Sequence, residues 1–343
     1  MIKSGLFLII LFAFISCKEI KTKNTDVANT VASKFSVEIL DEEALQILNP
    51  ESSLKILASG FDWVEGPLWI ESGQYLLFSD IPQNKVYKLN DKNDTVTYLK
   101  PSGYDVQNYT GKGSGSNGLL LNSVGQLVLM QQGERRVGVM KSSLNDPKPQ
   151  YSSLVSEYEG KRLNSPNDGI YDDEGNLYFT DPPYGLENLI DDKNKELDFQ
   201  GVYCHLKTGE LLLLDKELSY PNGITLSPDN KTLYVAVSDE KVGGAWYQYN
   251  LEAPGKVAEK KLFYNVEHLL GKPNEQGLPD GMKTNSKGYV FATGPGGLWI
   301  FTKEAKPIAK IRTGLLTSNC ALTANEKRLF LTADDYILAL DLK

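Results

Sequence analysis

The sequence predicts an all-β fold, a six-bladed β-propeller, and three observations lead to that prediction. One short pattern recurs six times along the 343 residues of the chain. Successive copies begin 40 to 58 residues apart, which leaves room for about four strands in each repeat. Nothing that resembles a linker interrupts residues 50–343, so the repeats are expected to form one domain rather than two.

Each copy of the pattern reads as a β-hairpin. A polar residue, usually followed by Gly, opens a short strand, and a second strand ends near Ser, Thr or Asp. The strand positions are β-branched, aromatic or Leu, whereas the turns hold Gly, Asn or Asp. The copies occupy residues 65–80, 117–131, 168–181, 222–238, 280–294 and, in degenerate form, 320–333.

The strands outside the hairpins complete the predicted blades. One or two further strands follow each hairpin, for example residues 85–89 with 96–99. The last copy begins too close to the C-terminus to supply four strands of its own. Residues 54–58, upstream of the first copy, could supply the missing outer strand and close the ring. Few helices are expected, and residues 41–47 form the best short candidate.

Composition and charge exclude several classes of protein. With 41% hydrophobic and 23% charged residues, the chain is an ordinary globular protein and not a disordered, collagenous or multi-span membrane protein. The net charge of −8 argues against a nucleic-acid partner, because phosphate binding needs a basic face. Three cysteines and two histidines are too few for a disulfide scaffold or a His-rich zinc site.

The N-terminus predicts export and lipid anchoring. Residues 1–17 carry Lys3, an apolar run over 6–15 and then Ser16-Cys17, the pattern of a lipoprotein signal peptide with Cys17 as the lipidated residue. A plain cleaved signal with an incidental Cys17 is the alternative. Residues 18–35 are polar and are expected to form a flexible tether to a propeller spanning 36–343. We therefore expect a cell-envelope lipoprotein, on the periplasmic or surface side of a bacterial membrane and held there only by its lipid.

Equivalent positions of a propeller meet near its axis, and the first positions of the repeats are mostly acids and amides. Asn-Gly and Asp-Gly are common turn dipeptides, which is the simpler explanation of any single copy. The preference of these dipeptides for turns does not explain why acids and amides stand at the start of the inner strand. Carboxylate and amide oxygens together are the ligands that hard divalent ions prefer. A central metal-binding channel is therefore expected. The first positions are Glu65, Asn117, Asp168, Asn222, Asp280 and Cys320, with Asn167 beside Asp168.

Six segments in a fixed order carry a family resemblance. They are Glu65-Gly66-Pro67, GKRLNSPNDG at 160–169, YFTDPPYG at 178–185, YPNGITLSPD at 220–229, LPDGM at 278–282 and TGPGGLWIF at 293–301. Over residues 36–343 the chain resembles the SMP-30/gluconolactonase/regucalcin family, in particular its bacterial gluconolactonase branch.

The resemblance implies one divalent cation held by four side chains. The cation is expected to be Ca²⁺, with Zn²⁺, Mg²⁺ and Mn²⁺ left open, and the substrate a small sugar lactone. The implied ligands are Glu65, Asn167, Asn222 and Asp280.

The catalytic hypothesis assigns proton transfer to a carboxylate. Asp280 is the first choice for the base and Glu65 the second, because the asparagines cannot titrate. The residues expected to bind substrate are Asn117, Arg162, Asn164 and Asp168. Alternatively, Arg162 pairs with an acidic residue on the surface. The charged loop 187–199 is expected either to cover the channel as a lid or to be an ordinary solvent-exposed loop.

Three classes of function remain open at this point. The first is a metal-dependent sugar lactone hydrolase. The second is a phosphotriesterase or other esterase that uses the same metal site. The third is a propeller that binds Ca²⁺ or another ligand without turnover. In each case we expect a monomer.

Overall fold

The computed structural model describes residues 30–105, 114–241 and 243–343, and it confirms the six-bladed propeller. The signal segment 1–17 and most of the predicted tether lie outside the described residues. In the described part of the chain, no helix is long and apolar enough to cross a membrane.

Six antiparallel sheets of at least four strands form the blades, here numbered in chain order and given from the inner strand outward. Blade 1 is Val64–Ile70, Tyr75–Asp80, Lys85–Leu89 and Thr95–Leu99; blade 2 is Ser116–Leu121, Leu127–Gln131, Arg136–Met140 and Tyr151–Val155. Blade 3 is Gly169–Tyr171, Leu177–Asp181, Gly201–His205 and Leu211–Asp215; blade 4 is Pro221–Leu226, Thr232–Asp239, Gly243–Ala253 and Lys256–Asn265. Blade 5 is Met282–Thr284, Val290–Gly294, Gly297–Phe301 and Pro307–Arg312; blade 6 is Thr317–Leu322, Arg328–Ala333, Tyr336–Asp341 and Lys55–Ser59.

The ring closes through the N-terminal strand, as the sequence predicts. Lys55–Ser59 is the outermost strand of blade 6 and pairs antiparallel with Tyr336–Asp341. The Lys55 ammonium also lies 2.8 Å from the Asp341 carboxylate. The two ends of the propeller are thus joined by a backbone ladder, which leaves neither blade 1 nor blade 6 at a free end of the ring.

Smaller elements lie outside the blades. Ser36–Ile39 pairs with Pro307–Arg312 as a fifth strand of blade 5, which the sequence did not predict. Helix formation near residues 41–47 is confirmed, but as the short 3₁₀-helix Glu42–Gln46, whose first turn is capped by the Asp41 carboxylate. The remaining elements are the 3₁₀-helices Glu71–Gly73, Leu189–Asp191 and Glu267–Leu269 and the hairpin Glu157–Tyr158 with Lys161–Arg162.

Hydrophobic packing takes place between blades, in six clusters that each join two neighbours. Because side chains alternate across a strand, each sheet buries both of its faces. In the second strand of blade 1, Leu76 and Phe78 pack toward blade 6 while Leu77 packs toward blade 2. Cys204 and Cys320 are buried free thiols in two of these clusters.

The Ser or Thr near the end of the second strand in most repeats forms a hydrogen bond to the next blade. Its hydroxyl donates to a backbone carbonyl close to the start of the neighbouring inner strand. The bonds join Ser79 to Asn117 at 2.8 Å, Thr180 to Asn222 at 2.6 Å, Thr293 to Ser318 at 2.9 Å and Ser238 to Pro279. We call these the inter-blade hydroxyls, and they set the register of one inner strand against the next.

All inner strands begin at the same face of the propeller, which we call the upper face. The loop of residues 182–200 joins the second and third strands of blade 3 at this face. Leu186 and Leu197 anchor it because both side chains are buried, whereas Leu189 and Ile190 are exposed. The loop therefore packs against the propeller as a structured segment and leaves a short apolar tip in solvent.

Candidate functional site

Six polar side chains meet on the propeller axis at the start of the inner strands, five of which the sequence identified. The sequence placed Cys320 at the sixth position, and this is wrong. Asn319 takes that place, and its amide donates to Glu65 Oε2 at 3.1 Å and to Asp168 Oδ2 at 3.3 Å. Cys320 occupies the position that is Gly in the other repeats, and its thiol lies in the core between blades 5 and 6. Asn319 escaped detection because no Gly follows it.

The Gly after Glu65, Asn222 and Asp280 is required by the close approach of the next inner strand. A Cβ at Gly66 would lie 2.1 Å from the carbonyl oxygen of Asn117, and one at Gly223 would lie 2.1 Å from that of Asp280. At Gly281 a Cβ would overlap the Asn319 amide at 1.9 Å. The repeated polar-Gly dipeptide is thus explained by close packing of the inner strands around the channel and not by a hairpin turn.

The axial carboxylates are buried and close enough to influence one another. Glu65 and Asp168 are each 2% exposed, so neither charge is hydrated by bulk water, while Asp280 keeps some exposure at the upper face. Burial raises the pKa of Glu65 to about 7. The hydrogen bond from the Gly66 amide acts against this increase, and the charge of Asp168 adds to it. Burial also raises the pKa of Asp280 well above its ordinary value, and the charges of Glu65 and Asp168 act in the same direction.

A lysine that the sequence reasoning missed lies beside these carboxylates. The Lys283 ammonium is 3.7 Å from Asp168 Oδ2 and donates to the carbonyl of Met282 at 3.0 Å. Asp168 also accepts from the Gly169 amide and from Asn319, so both of its oxygens have partners. Lys283 lies on the inner strand of blade 5, three positions after Asp280. That position in the sequence was the signal that could have identified it as a residue of the site.

Two amide oxygens of the site are buried without a hydrogen-bond partner in the described chain, Asn117 Oδ1 and Asn222 Oδ1. An unpaired buried oxygen is costly, and it is stabilised when a cation lies against it. Within residues 30–105, 114–241 and 243–343, no three Asp, Glu, His or Cys side chains could hold a metal by themselves. At the axis, carboxylates and amide oxygens lie together, and this donor set fits a hard cation.

Asn167, the fourth ligand implied by the resemblance, lies directly before Asp168 and is 3% exposed. Its backbone amide donates to Thr180 O at 2.9 Å, and its carbonyl accepts from the Gly118 amide at 2.8 Å. These two bonds tie Asn167 to the inner strand of blade 2 and to the second strand of its own blade. The backbone of this residue is therefore fixed at the channel wall.

Two of the predicted substrate residues lie apart from the axial group. Asn164 is fully buried, and both N–H groups of its amide are used, on Asp181 O at 3.0 Å and Phe199 O at 2.9 Å. Its amide therefore has no N–H left for a substrate. Arg162 is exposed on the Lys161–Arg162 strand, and its guanidinium donates to Glu134 O at 3.2 Å. The positions of both side chains indicate structural roles in this part of the loop.

A buried carboxylate that the sequence reasoning passed over shapes the loop ahead of Asn167. Asp181 accepts from the backbone amides of Asn164 and Ser165, each at 2.7 Å. Asp80 plays the equivalent part in blade 1, where it accepts from the amide of Asp62 at 3.2 Å. The Asp that follows the inter-blade hydroxyl is thus a loop-forming residue, and its repetition was the signal in the sequence.

Two tyrosines border the axial group at the upper face. The rings of Tyr184 and Tyr220 stack with centroids 5.7 Å apart. Burial raises the pKa of Tyr184, and the nearby charge of Asp280 adds to this. The Tyr184 hydroxyl also lies 3.5 Å from the carbonyl of Ser238. Tyr184 belongs to the YFTDPPYG segment, but its place beside Asp280 could not be read from that segment.

The raised pKa of Glu65 predicts how stability depends on pH in protein stripped of metal by a chelator. Because the folded-state pKa of about 7 exceeds the ordinary 4.5, the folded protein binds more protons between these values, and its free energy of unfolding falls as pH rises through them. Glu65→Gln removes this loss. In chelator the variant should melt above the wild type at pH 8, with a smaller difference at pH 5, as followed by thermal unfolding.

Asp173→Asn, which removes an exposed carboxylate of blade 3, is the matched control and should leave the pH dependence unchanged. A Glu65→Gln protein that melts below the wild type at pH 8 in chelator would show that the buried charge does not destabilise the fold.

Comparison with known proteins identifies the family of the chain. A family model described as the SMP-30/Gluconolactonase/LRE-like region matches residues 63–335. The chain is 36% identical over 296 residues to a gluconolactonase from Zymomonas mobilis subsp. mobilis, across 85% of this chain and 82% of the relative. It is 28% identical over 126 residues to the diisopropyl-fluorophosphatase of Loligo vulgaris, across 36% of this chain and 38% of the relative.

Solved structures give the same result. A gluconolactonase from Xanthomonas campestris matches with a TM-score of 0.75 at 26% identity, covering 90% of this chain and 95% of that one. The calcium-binding protein regucalcin from Agrobacterium tumefaciens matches with a TM-score of 0.61 at 16% identity, covering 85% and 95%, and supports the fold alone. Because the family model spans most of the chain and the bacterial relative exceeds one-third identity, this chain belongs to the SMP-30/gluconolactonase/LRE-like family.

Proposed function

We propose that this protein is a metal-dependent hydrolase of a sugar lactone and that the axial group at the upper face is its active site. The observation that carries the proposal is the convergence of buried carboxylates with two unpartnered amide oxygens. The gluconolactonase of Zymomonas mobilis, similar over 85% of this chain, supports the same class of reaction.

The residues proposed to hold the metal are Glu65, Asn167, Asn222 and Asp280. Two carboxylates and two amide oxygens suit Ca²⁺, which is our first choice, with Zn²⁺, Mg²⁺ or Mn²⁺ as the alternatives. A bound divalent cation would polarise the lactone carbonyl and stabilise the negative oxygen that forms when water attacks. The carboxylates must be ionised to bind it, so affinity should increase with pH through the neutral range.

Asp280 is the proposed general base, and the environments of the two candidate carboxylates favour it over Glu65. Glu65 Oε2 already accepts from the Gly66 amide at 2.7 Å and from Asn319, and the side chain is 2% exposed. Asp280 is half-buried where Glu65 is buried, so we assign contact with the attacking water and the substrate to Asp280.

Substrate hydroxyl groups are proposed to bind at Asn117 and beside it. Asn117 Oδ1 has no partner in the described chain and can accept a hydrogen bond from a hydroxyl. Asp168 also faces the channel, but its oxygens are occupied by Gly169, Asn319 and Lys283, so we assign it to holding the axial group together. The stacked Tyr184 and Tyr220 offer an apolar wall next to these polar groups.

The other two classes of function have weaker support. The match to a diisopropyl-fluorophosphatase covers 36% of this chain, against 85% for the gluconolactonase. Binding without turnover is supported by neither of the curated relatives compared above, a gluconolactonase and a diisopropyl-fluorophosphatase. A substrate panel of aldonolactones and phosphotriesters, with and without chelator, separates the three.

Asp280→Asn should separate proton transfer from metal binding. The substitution keeps one oxygen ligand but removes the base, so the metal should bind more weakly while hydrolysis of a five- or six-membered aldonolactone falls by about 10²-fold or more. Turnover is measured at saturating metal, with occupancy measured by calorimetry. Near wild-type turnover by the fully metallated variant would show that Asp280 is not the base, and Glu65 would become the candidate.

We further propose that the mature protein is a monomer anchored to a bacterial envelope membrane through a lipid on Cys17. The support is the apolar run of residues 6–15 ending at Ser16-Cys17, followed by the polar segment 18–35. A single buried acyl chain binds a membrane only marginally, so stable anchoring requires the multiple acylation typical of a lipoprotein.

Cys17→Ala should release the protein from the membrane fraction. Because the substitution removes the thiol that carries the lipid and changes nothing in the propeller, lactone hydrolysis should follow the protein into the soluble fraction. Fractionation of cells that express either form measures this. Retention of the variant in the membrane fraction at the wild-type level would contradict the anchor.

A further inference from the structure

We propose that Ser238 is a positioning residue that fixes which end of the Asn222 amide faces the metal. The inference rests on the proposed metal-dependent function, since it assigns to Ser238 the orientation of one ligand. Ser238 lies near the end of the second strand of blade 4, Thr232–Asp239, and is the inter-blade hydroxyl between blades 4 and 5.

The Ser238 hydroxyl contacts both neighbouring ligand segments. Its Oγ accepts from Asn222 Nδ2 at 2.9 Å, and it donates to the carbonyl oxygen of Pro279, the residue before Asp280. One hydroxyl group therefore contacts the side chain of a proposed ligand in blade 4 and the backbone next to another in blade 5. The Ser238 carbonyl also lies 3.5 Å from the Tyr184 hydroxyl, which connects this residue to the loop at the upper face.

Counting protons fixes the orientation of the Asn222 amide. A carbonyl oxygen carries no hydrogen, so the bond to Pro279 uses the single proton of the Ser238 hydroxyl. The Ser238 oxygen can then only accept from Asn222, which requires Nδ2 and not Oδ1 to face it. Asn222 Oδ1 is thereby directed away from Ser238, and it is the atom that is buried without a partner. The amide therefore presents an oxygen, and not an N–H group, to a cation.

The other inter-blade hydroxyls lack this second contact. Ser79 and Thr293 donate to backbone carbonyls, and within the described residues neither hydroxyl forms a hydrogen bond with the side chain of a proposed ligand. The Thr180 hydroxyl donates to the backbone carbonyl of Asn222 at 2.6 Å. This bond does not orient the side-chain amide of Asn222. Ser238 thus combines the structural bond common to the repeats with control over a ligand.

The test measures Ca²⁺ affinity by calorimetry and thermal unfolding in chelator, neither of which depends on activity. Ser238→Ala leaves the Asn222 amide free to turn its N–H groups toward the cation, and the Kd for Ca²⁺ should rise about 10-fold or more, as is typical when a residue that orients a ligand is lost. Ser238→Thr keeps the hydroxyl, as Thr180 does in blade 3, and should restore the Kd to within about 3-fold of the wild type.

Ser79→Ala is the matched control, because it removes an inter-blade hydroxyl that contacts no proposed ligand side chain. It should lower the melting temperature in chelator to a similar degree as Ser238→Ala while leaving the Kd unchanged. Should Ser238→Ala not fold, Ser238→Cys takes its place, since a thiol is a weak acceptor of similar volume.

A double-mutant cycle with Asn222→Asp tests the orientation role itself. Both terminal atoms of Asp are oxygens, so the loss of Ser238 should have little effect on Ca²⁺ affinity in the Asn222→Asp background. An unchanged Kd for Ser238→Ala, or an equal loss in both backgrounds, would overturn the orientation role while leaving the metal site intact. A wild-type protein that does not bind Ca²⁺ or another divalent ion would overturn the proposed function and this inference together.

Discussion

The crowding of oxygen-bearing side chains on the propeller axis is the constraint on which the rest of the structure depends. Glu65, Asp168 and Asp280 lie within range of one another's charge, and burial raises the pKa of Glu65 and of Asp280. Lys283 and the Asn319 amide offset part of this cost inside the channel. The oxygens of Asn117 and Asn222 have no partner in the described chain, so the protein's own groups do not satisfy the site completely. In the proposed arrangement a cation would satisfy Asn222 Oδ1, and a substrate hydroxyl would satisfy Asn117 Oδ1.

The fold holds this unfavourable group in place through features of the whole ring. Six hydrophobic clusters join neighbouring blades, and the pairing of Lys55–Ser59 with Tyr336–Asp341 closes the circle. Near the axis, glycines allow neighbouring inner strands to approach, and the inter-blade hydroxyls fix how they align. The site therefore has little freedom to relax, because moving one axial residue requires a shift of an entire blade against its neighbours.

The parts of the fold and the site that recur in every blade could be predicted from the sequence, because equivalent positions of a repeat take equivalent places in the structure. The six blades, the closing strand and five of the six axial residues follow from the spacing of the polar-Gly positions. Asn319 was missed because Cys320 replaces the Gly of the other repeats, which shifted the alignment of that repeat by one residue. Lys283 was missed although its position on the inner strand of blade 5, three residues after Asp280, was a signal. Ser238 could not be predicted, since its role depends on which side chains approach from other blades. Asn164 was predicted to bind substrate because it precedes Asn167. Its two amide N–H groups bind the loop, and its Oδ1 has no partner in the described chain.

The central claim, that the axial oxygens hold the metal at which a lactone is hydrolysed, is tested most directly on wild-type protein stripped with chelator and then titrated with Ca²⁺. Heat release and aldonolactone hydrolysis are followed in the same titration. The structure predicts that both increase together and level off at one equivalent of Ca²⁺ per chain, from an inactive start. Full hydrolysis in excess chelator, by protein shown to contain no divalent metal, would contradict the account.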